Sequence, residues 1–214
     1  MKIAEIFLGA QGEIDVGVPS IFIRFSGCNL IESNNACKFC DTLWAEKGRE
    51  TRLLDVIHKV RKYNCKNIVI TGGEPLLHAE DLLLLVKNLH GEGYNITLET
   101  NGTIYDYRIF SYVNKISCSP KKQCLKLDVL KRLNNLPNKN VRFKFVYEDK
   151  KDKWWEGIVK SLTIPTFKVW IMPQGKTREE QLDKMQEVVE YSIRKGYNAS
   201  PRLHVLIYNN RRGV

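Results

Sequence analysis

The 214 residues carry 34 Lys and Arg against 24 Asp and Glu, a formal charge of +10, and 43% of them are hydrophobic. This profile excludes disordered and fibrous chains, and the length suits one domain able to bury a substantial core. Residues 82–86 form the longest apolar run, far below the ~20 residues of a membrane-spanning helix. With Met1-Lys2-Ile3 opening a strand-like segment rather than a signal peptide, a cytoplasmic chain with no membrane contact is expected.

In chain order, residues 2–7 and 20–25 read as strands, and further β-rich runs follow at 67–71, 95–98, 115–118, 141–146, 167–172 and 202–208. Helical patterns lie between them. Leu53, Leu54, Ile57 and Val60 repeat with helical spacing, and residues 79–89 end at Gly91. Thr177 and Glu180 make a capping box ahead of Leu182, Met185, Val188 and Val189, with a stop at Gly196. Strands alternating with helices of this length give an α/β fold with parallel pairing through right-handed crossovers. Ligands in such folds sit at the turns after strand ends.

Six cysteines in a chain without export signals favour metal or redox chemistry over disulfides. After the second strand, Gly27-Cys28-Asn29 leads through an eight-residue spacer to Cys37-Lys38-Phe39-Cys40-Asp41-Thr42. A Cys-x-x-Cys pair can chelate one ion or adjacent irons of a cluster, and a third thiolate from the same loop suits iron–sulfur chemistry or zinc. Structural zinc usually closes four protein ligands, whereas this loop offers three cysteines and no His. Cys65 and Cys124 read as incidental thiols and Cys118, inside a strand, as core. His58 and His78 read as structural or exposed.

A second signal is Thr71-Gly72-Gly73-Glu74-Pro75, placed between an apolar strand and a helix. Its glycines let the backbone approach a ligand and Pro75 starts the helix. Joined to the cysteine loop, this turn resembles the radical S-adenosylmethionine (SAM) enzymes. Their usual first spacer is three residues, and here it is eight. Within that superfamily the chain resembles the 7-carboxy-7-deazaguanine synthase family along almost its whole length. The likeness rests on Glu5-Ile6-Phe7 with Gln11-Gly12-Glu13, on residues 22–30, on residues 37–42, and on Glu99-Thr100-Asn101-Gly102-Thr103 with Ser119-Pro120-Lys121. Some members carry a widened first spacer. The family's Gln-x-His-Lys-like tail is not reproduced at residues 206–209.

The resemblance implies one radical SAM domain over residues 1–214, with the cluster loop at about 26–45. Its fold would be a partial (βα) barrel, a mostly parallel sheet with helices outside. It implies that Cys28, Cys37 and Cys40 hold a [4Fe–4S] cluster, with SAM on the fourth iron. SAM contacts would come from Phe39, Cys40, Asp41, Gly73, Glu99, Ser119, Pro120, Lys121, Met172 and Gln174, and Thr42 would meet Mg²⁺. The deoxyadenosyl radical would convert 6-carboxy-5,6,7,8-tetrahydropterin to 7-carboxy-7-deazaguanine and ammonia for queuosine or archaeosine. Ala10, Gln11, Gly12, Glu13, Arg24, Thr71 and the terminal Val214 would bind that pterin. A homodimer, a reductant such as flavodoxin or ferredoxin, and no direct nucleic-acid contact complete the expectation. Two alternatives share parts of the signal: a glycyl-radical activating enzyme and a basic zinc protein that binds nucleic acid.

Overall fold

The structure is a computed structural model that describes residues 1–37, 40, 47–209, 211 and 213. The chain opens with an antiparallel hairpin, β1 (Lys2–Ala10) and β2 (Pro19–Phe25), in register from Glu5 opposite Arg24 to Ala10 opposite Pro19, with a shift between Glu5 and the Ile3–Phe25 pair. A single helical turn, α1 (Asn29–Glu32), follows Cys28, and a short strand β3 (Arg49–Glu50) adds to the outer edge of β1. From there helix and strand alternate. Helix α2 (Leu53–Arg61) leads to β4 (Asn67–Gly72), α3 (Ala79–Gly91) to β5 (Asn95–Thr100), and α4 (Tyr107–Phe110) to β6 (Lys115–Cys118). Next α5 (Leu127–Asn134) leads to β7 (Asn140–Tyr147), α6 (Trp155–Ser161) to β8 (Val169–Pro173), and α7 (Arg178–Lys195) to β9 (Asn198–Ala199), before α8 (Leu203–Tyr208).

Among the described residues these strands make one sheet in the order β3-β1-β2-β4-β5-β6-β7-β8-β9, and every pairing from β2 onward is parallel. Because each crossover joins strands that are neighbours, the sheet winds in one direction with its helices outside. The result is the partial (βα) barrel that the resemblance implied. No helix among the described residues is long and apolar enough to cross a membrane.

Side-chain alternation along the strands divides the molecule into two environments. One face packs on the helices: Ile21 and Ile23, Ile68 and Ile70, Ile96 and Leu98, Val141 and Phe143 are fully or almost fully buried against Leu82, Leu85 and Leu89 of α3 and the other helices. Cys118 belongs to this layer, as its place in a strand predicts. The opposite face points into the barrel and is polar, with Arg24, Thr71, Glu99, Ser117 and Lys144 at the positions between.

The structure differs from the predicted elements in two places. Residues 202–208 form a helix instead of a strand. Ser200 still bonds Ile171, but Pro201 has no N–H with which to extend the ladder, and Leu206 bonds back to Arg202. In α7 the capping box of Thr177 and Glu180 is present, yet the buried side is Gln181, Val188, Tyr191 and Ser192, while Leu182 and Val189 are exposed. The Gln181 amide sets that rotation by donating to the carbonyls of Pro173 and Gly175.

Candidate active site

The cysteine loop and the Gly-Gly-Glu-Pro turn are built against each other at the C-terminal ends of β2 and β4. Gly73 N–H donates to Phe25 O (3.2 Å) and Glu74 N–H to Gly27 O (2.9 Å). A Cβ on Gly73 would strike the Gly27 carbonyl oxygen and lie 2.9 Å from Cys28 Cβ, so glycine is what permits this approach. The Cys28 sulfur receives backbone N–H groups from Leu30 and Ile31 of the turn that follows. Cys40 N–H donates to Cys37 O (3.1 Å), and Cys28, Cys37 and Cys40 all line one cavity of about 320 Å³. Burial pushes the Cys28 and Cys37 thiols up, in Cys37 against the pull of Lys121, so a metal taken up here would have to displace their protons.

Two networks fix this rim. Glu74 is fully buried and accepts from Leu76 N–H (3.1 Å), Asn101 N–H (2.7 Å) and the Thr100 hydroxyl (3.0 Å), which ties the β4 turn to the β5 turn. Its burial raises the carboxyl to about 7 against the pull of those donors. Beside it, Asn101 Nδ2 donates to Asn29 Oδ1 (2.9 Å) and Asn29 Nδ2 to the Thr103 hydroxyl (2.9 Å), so the residue after Cys28 is held from β5.

Deeper in the barrel, polar side chains cross-link strand to strand: Thr71 donates to Glu99 (2.7 Å) and Arg24 to Glu5 (2.9 Å). In the turn after β6, Lys121 donates to the Ser119 hydroxyl and carbonyl (both 2.7 Å). The loop between β1 and β2 dips into the lumen. Gln11 donates to Ser20 (2.9 Å), Glu13 pairs with Lys144 and with Arg202, and Asp15 receives Lys115 (2.6 Å) and Arg142 (2.7 Å). Burial alone would raise the Glu13 carboxyl, but Lys144, Arg202 and His204 together hold it far below the carboxylate range.

The sequence-predicted residues gather accordingly. Ala10, Gln11, Gly12, Glu13, Arg24 and Thr71 line the cavity; so do Gly73, Glu99, Ser119 and Lys121 on the strand-end turns, and Met172 and Gln174 after β8. Pro120 is buried but is not part of the cavity wall. Phe39, Asp41, Thr42 and Val214 lie outside the described residues. Sequence reasoning missed Glu5, Lys144, Arg202 and His204, which line the same cavity. Arg202-Leu203-His204-Val205 places a histidine where a Gln-x-His-Lys pattern has one, four residues before the stretch 206–209. A Cβ at Gly12 would strike the His204 ring, so this helix is seated directly on the 11–13 loop. The alternation of Lys144 with Phe143 and Phe145 was the one signal that marked it as lumen-facing.

A partial barrel with three thiols on its rim beside a glycine cradle defines a radical SAM protein, and the family profile described as the radical SAM superfamily matches residues 22–136. Near full-length similarity narrows the class. The chain is 31% identical to the 7-carboxy-7-deazaguanine synthase of Halobacterium salinarum, covering 98% of this chain and 91% of that one, and 33% identical to that of Rhodopirellula baltica, covering 100% and 89%. The crystal structure of QueE from Escherichia coli superposes with a TM-score of 0.71 at 24% identity, over 95% of this chain and 94% of that chain. The chain belongs to the 7-carboxy-7-deazaguanine synthase family of radical SAM enzymes. Of the three readings open to the cysteine loop, this membership selects the first, and with it a [4Fe–4S] cluster and SAM as cofactors.

The residues present fit that pair. The three thiols share one cavity wall, each able to serve a different iron. Gly73 leaves the backbone bare beside them.

Proposed function

We propose that this chain makes 7-carboxy-7-deazaguanine and ammonia from 6-carboxy-5,6,7,8-tetrahydropterin, feeding a 7-deazapurine such as queuosine or archaeosine. The observation that carries the reading is one cavity with cluster thiols on its rim and an ionised carboxylate, Glu13, in its wall. Cys28, Cys37 and Cys40 hold the cluster. Gly73, Glu99, Ser119, Lys121, Met172 and Gln174 receive SAM, with Pro120 behind them and Phe39 and Asp41 beside the last ligand. When bound, this pair supplies the one-electron chemistry that begins hydrogen abstraction.

The chain's own residues bind and orient the pterin. Gln11, Gly12, Glu13 and Thr71 read its N–H and C=O edge, while Arg24, already bonded to Glu5, presents a planar cation to its anionic side. Ala10 in the cavity wall and Val214 would contact the ring, and Thr42 would supply an oxygen ligand to Mg²⁺. The helices and the packed lumen exclude water from the reacting carbons. A charge of +10 favours an acidic electron carrier such as flavodoxin or ferredoxin. The chain works as one domain in the cytoplasm, without direct nucleic-acid contact. It pairs as a homodimer, for which Leu182, Val189 and Ile193 offer an exposed apolar side of α7.

The test is an anaerobic assay of reconstituted, reduced protein with SAM, Mg²⁺ and the carboxytetrahydropterin. Appearance of the deazapurine by absorbance and mass, lost on chelation of the divalent ion, is expected. SAM cleavage with no deazapurine formed would overturn the reading.

A further inference from the structure

Lys144 is absent from every motif read in the sequence, yet it occupies the centre of the barrel. It is 6% exposed, on β7, with Phe143 and Phe145 on either side packed into the helix-facing core, so its own side chain must point inward. There its ammonium pairs with Glu13 Oε2, while Arg202 Nε donates to Glu13 Oε1 (3.2 Å). The pair is fully charged. Burial would lower the lysine, but Glu13 and Glu99 outweigh it and raise it, while Glu13 is driven the other way.

This arrangement leaves the carboxylate partly open. Among the described residues each of its oxygens has one hydrogen-bond donor, and a carboxylate has about four acceptor directions. Glu13 also lines the cavity, as does the Ser117 hydroxyl, which is buried and has no hydrogen-bond partner among the described residues. The loop itself cannot swing away. Leu203 N–H donates to Gly12 O (2.7 Å), and Arg202 is anchored a second time on Gly175 O (2.8 Å).

We propose that Lys144 is a positioning and specificity-determining residue. By pairing with Glu13 it holds that carboxylate in the cavity wall, aimed as a double acceptor for a ligand edge that presents two adjacent N–H groups, the guanidine-like edge of a 2-amino-4-oxopyrimidine ring. The proposal rests on the pterin reading above and adds what selects the ring. A neutral acid at position 13 would offer one donor and fewer acceptor directions, and would admit ring edges with a carbonyl at that place.

The experiment is equilibrium binding of 6-carboxytetrahydropterin to reconstituted, unreduced protein in the presence of SAM, beside iron content and SAM affinity. Lys144→Met should weaken pterin binding roughly tenfold to a hundredfold, the scale of a charge-assisted hydrogen-bond pair. Iron content and SAM affinity should be unchanged, and Lys144→Arg should restore most of the affinity. Because Lys144 acts through Glu13, Glu13→Gln and Glu13→Gln/Lys144→Met should bind the pterin equally. This neutral pair also serves if Lys144→Met does not fold. A 2-oxo analogue, which presents a carbonyl where the pterin has its amino group, should bind Lys144→Met better than wild type. Unchanged pterin affinity in Lys144→Met, or effects that multiply in the double variant, would overturn the proposal while leaving the pterin reading in place. Failure of wild-type protein with full iron and SAM to bind the pterin would overturn both.

Discussion

Replacing Gly73 by Ala tests whether the turn after β4 and the cysteine loop form one unit. The added methyl would sit 2.6 Å from the Gly27 carbonyl carbon and 2.9 Å from Cys28 Cβ. Ordinary carbon contacts begin near 3.4 Å, so 3.4 minus 2.6 asks about 0.8 Å of retreat at Gly27 and 3.4 minus 2.9 about 0.5 Å at Cys28. The crowded atoms are backbone and the root of Cys28, the proposed cluster ligand, not the end of a flexible chain. Overpacking of this kind costs about 1–3 kcal/mol, and stretching the Glu74 N–H bond to Gly27 O adds about 1 kcal/mol.

A total near 2–4 kcal/mol is therefore expected in urea unfolding of the Gly73→Ala protein. The larger effect falls on the cluster. Metal–ligand distances tolerate roughly 0.2 Å, less than the shift imposed on Cys28. Anaerobically reconstituted Gly73→Ala should hold substoichiometric iron and sulfide and bind SAM weakly. Gly91→Ala is the control, since a Cβ there meets nothing within 4 Å, and it should be neutral or slightly stabilising. Full iron and wild-type SAM affinity in Gly73→Ala, with less than about 1 kcal/mol lost, would refute the reasoning.

Other expected outcomes follow from single groups. The Glu74 carboxyl is raised from 4.5 to about 7 by burial, so the folded chain holds its proton more tightly than the unfolded chain. Its contribution to stability is complete below pH 4.5 and fades by on the order of 3 kcal/mol as pH rises to 7, and Glu74→Gln should remove that slope from urea-unfolding data; an identical slope in the variant would sink the assignment. Asp15 behaves oppositely: burial works to raise it, but Lys115 and Arg142 hold it below 3.8, so its contribution is present above that pH and is lost as pH falls further. Asp15→Asn should cost about 3 kcal/mol at pH 7 and progressively less in acid, measured by the same unfolding series. Cys37→Ala should lose the cluster iron while Cys65→Ala keeps it, because only the former thiol lines the cavity; iron analysis after reconstitution checks both.

What was legible in the sequence was what is encoded locally. The cysteine loop, the Gly-Gly-Glu-Pro turn and the box of Thr177 with Glu180 each lie within a few residues, and the structure places them at the predicted strand and helix ends. The lumen was not legible in that way. Glu13 meets Lys144 across 131 residues and Arg202 across 189, so no window of sequence contains the cluster. The stretch 202–208 misled because six largely apolar residues without alternation fit a buried strand as well as a short helix. Pro201 and the seating of His204 against Gly12 decide for the helix. Leu182 and Val189 misled because periodicity reports a helix but not which side a Gln181 anchor will turn inward.

The polar lumen also explains how the two halves of the barrel are kept together. The β1–β2 loop lays Gln11, Gly12, Glu13 and Ile14 along the cavity wall and carries Asp15 to its own pair of cations. The cations that answer the two carboxylates come from β6, β7 and the segment before α8. The parallel ladder supplies contacts only between neighbouring strands. These ion pairs reach from the first hairpin to the far side of the barrel. Such long closures are entropically costly until the intervening strands are in place, so they form late and only in the complete sheet. The segment proposed to read the pterin is therefore held in place by contacts that need the whole sheet. A chain with a loosened second half would lose substrate affinity while its cluster turn, built locally from β2, β4 and β5, remained whole.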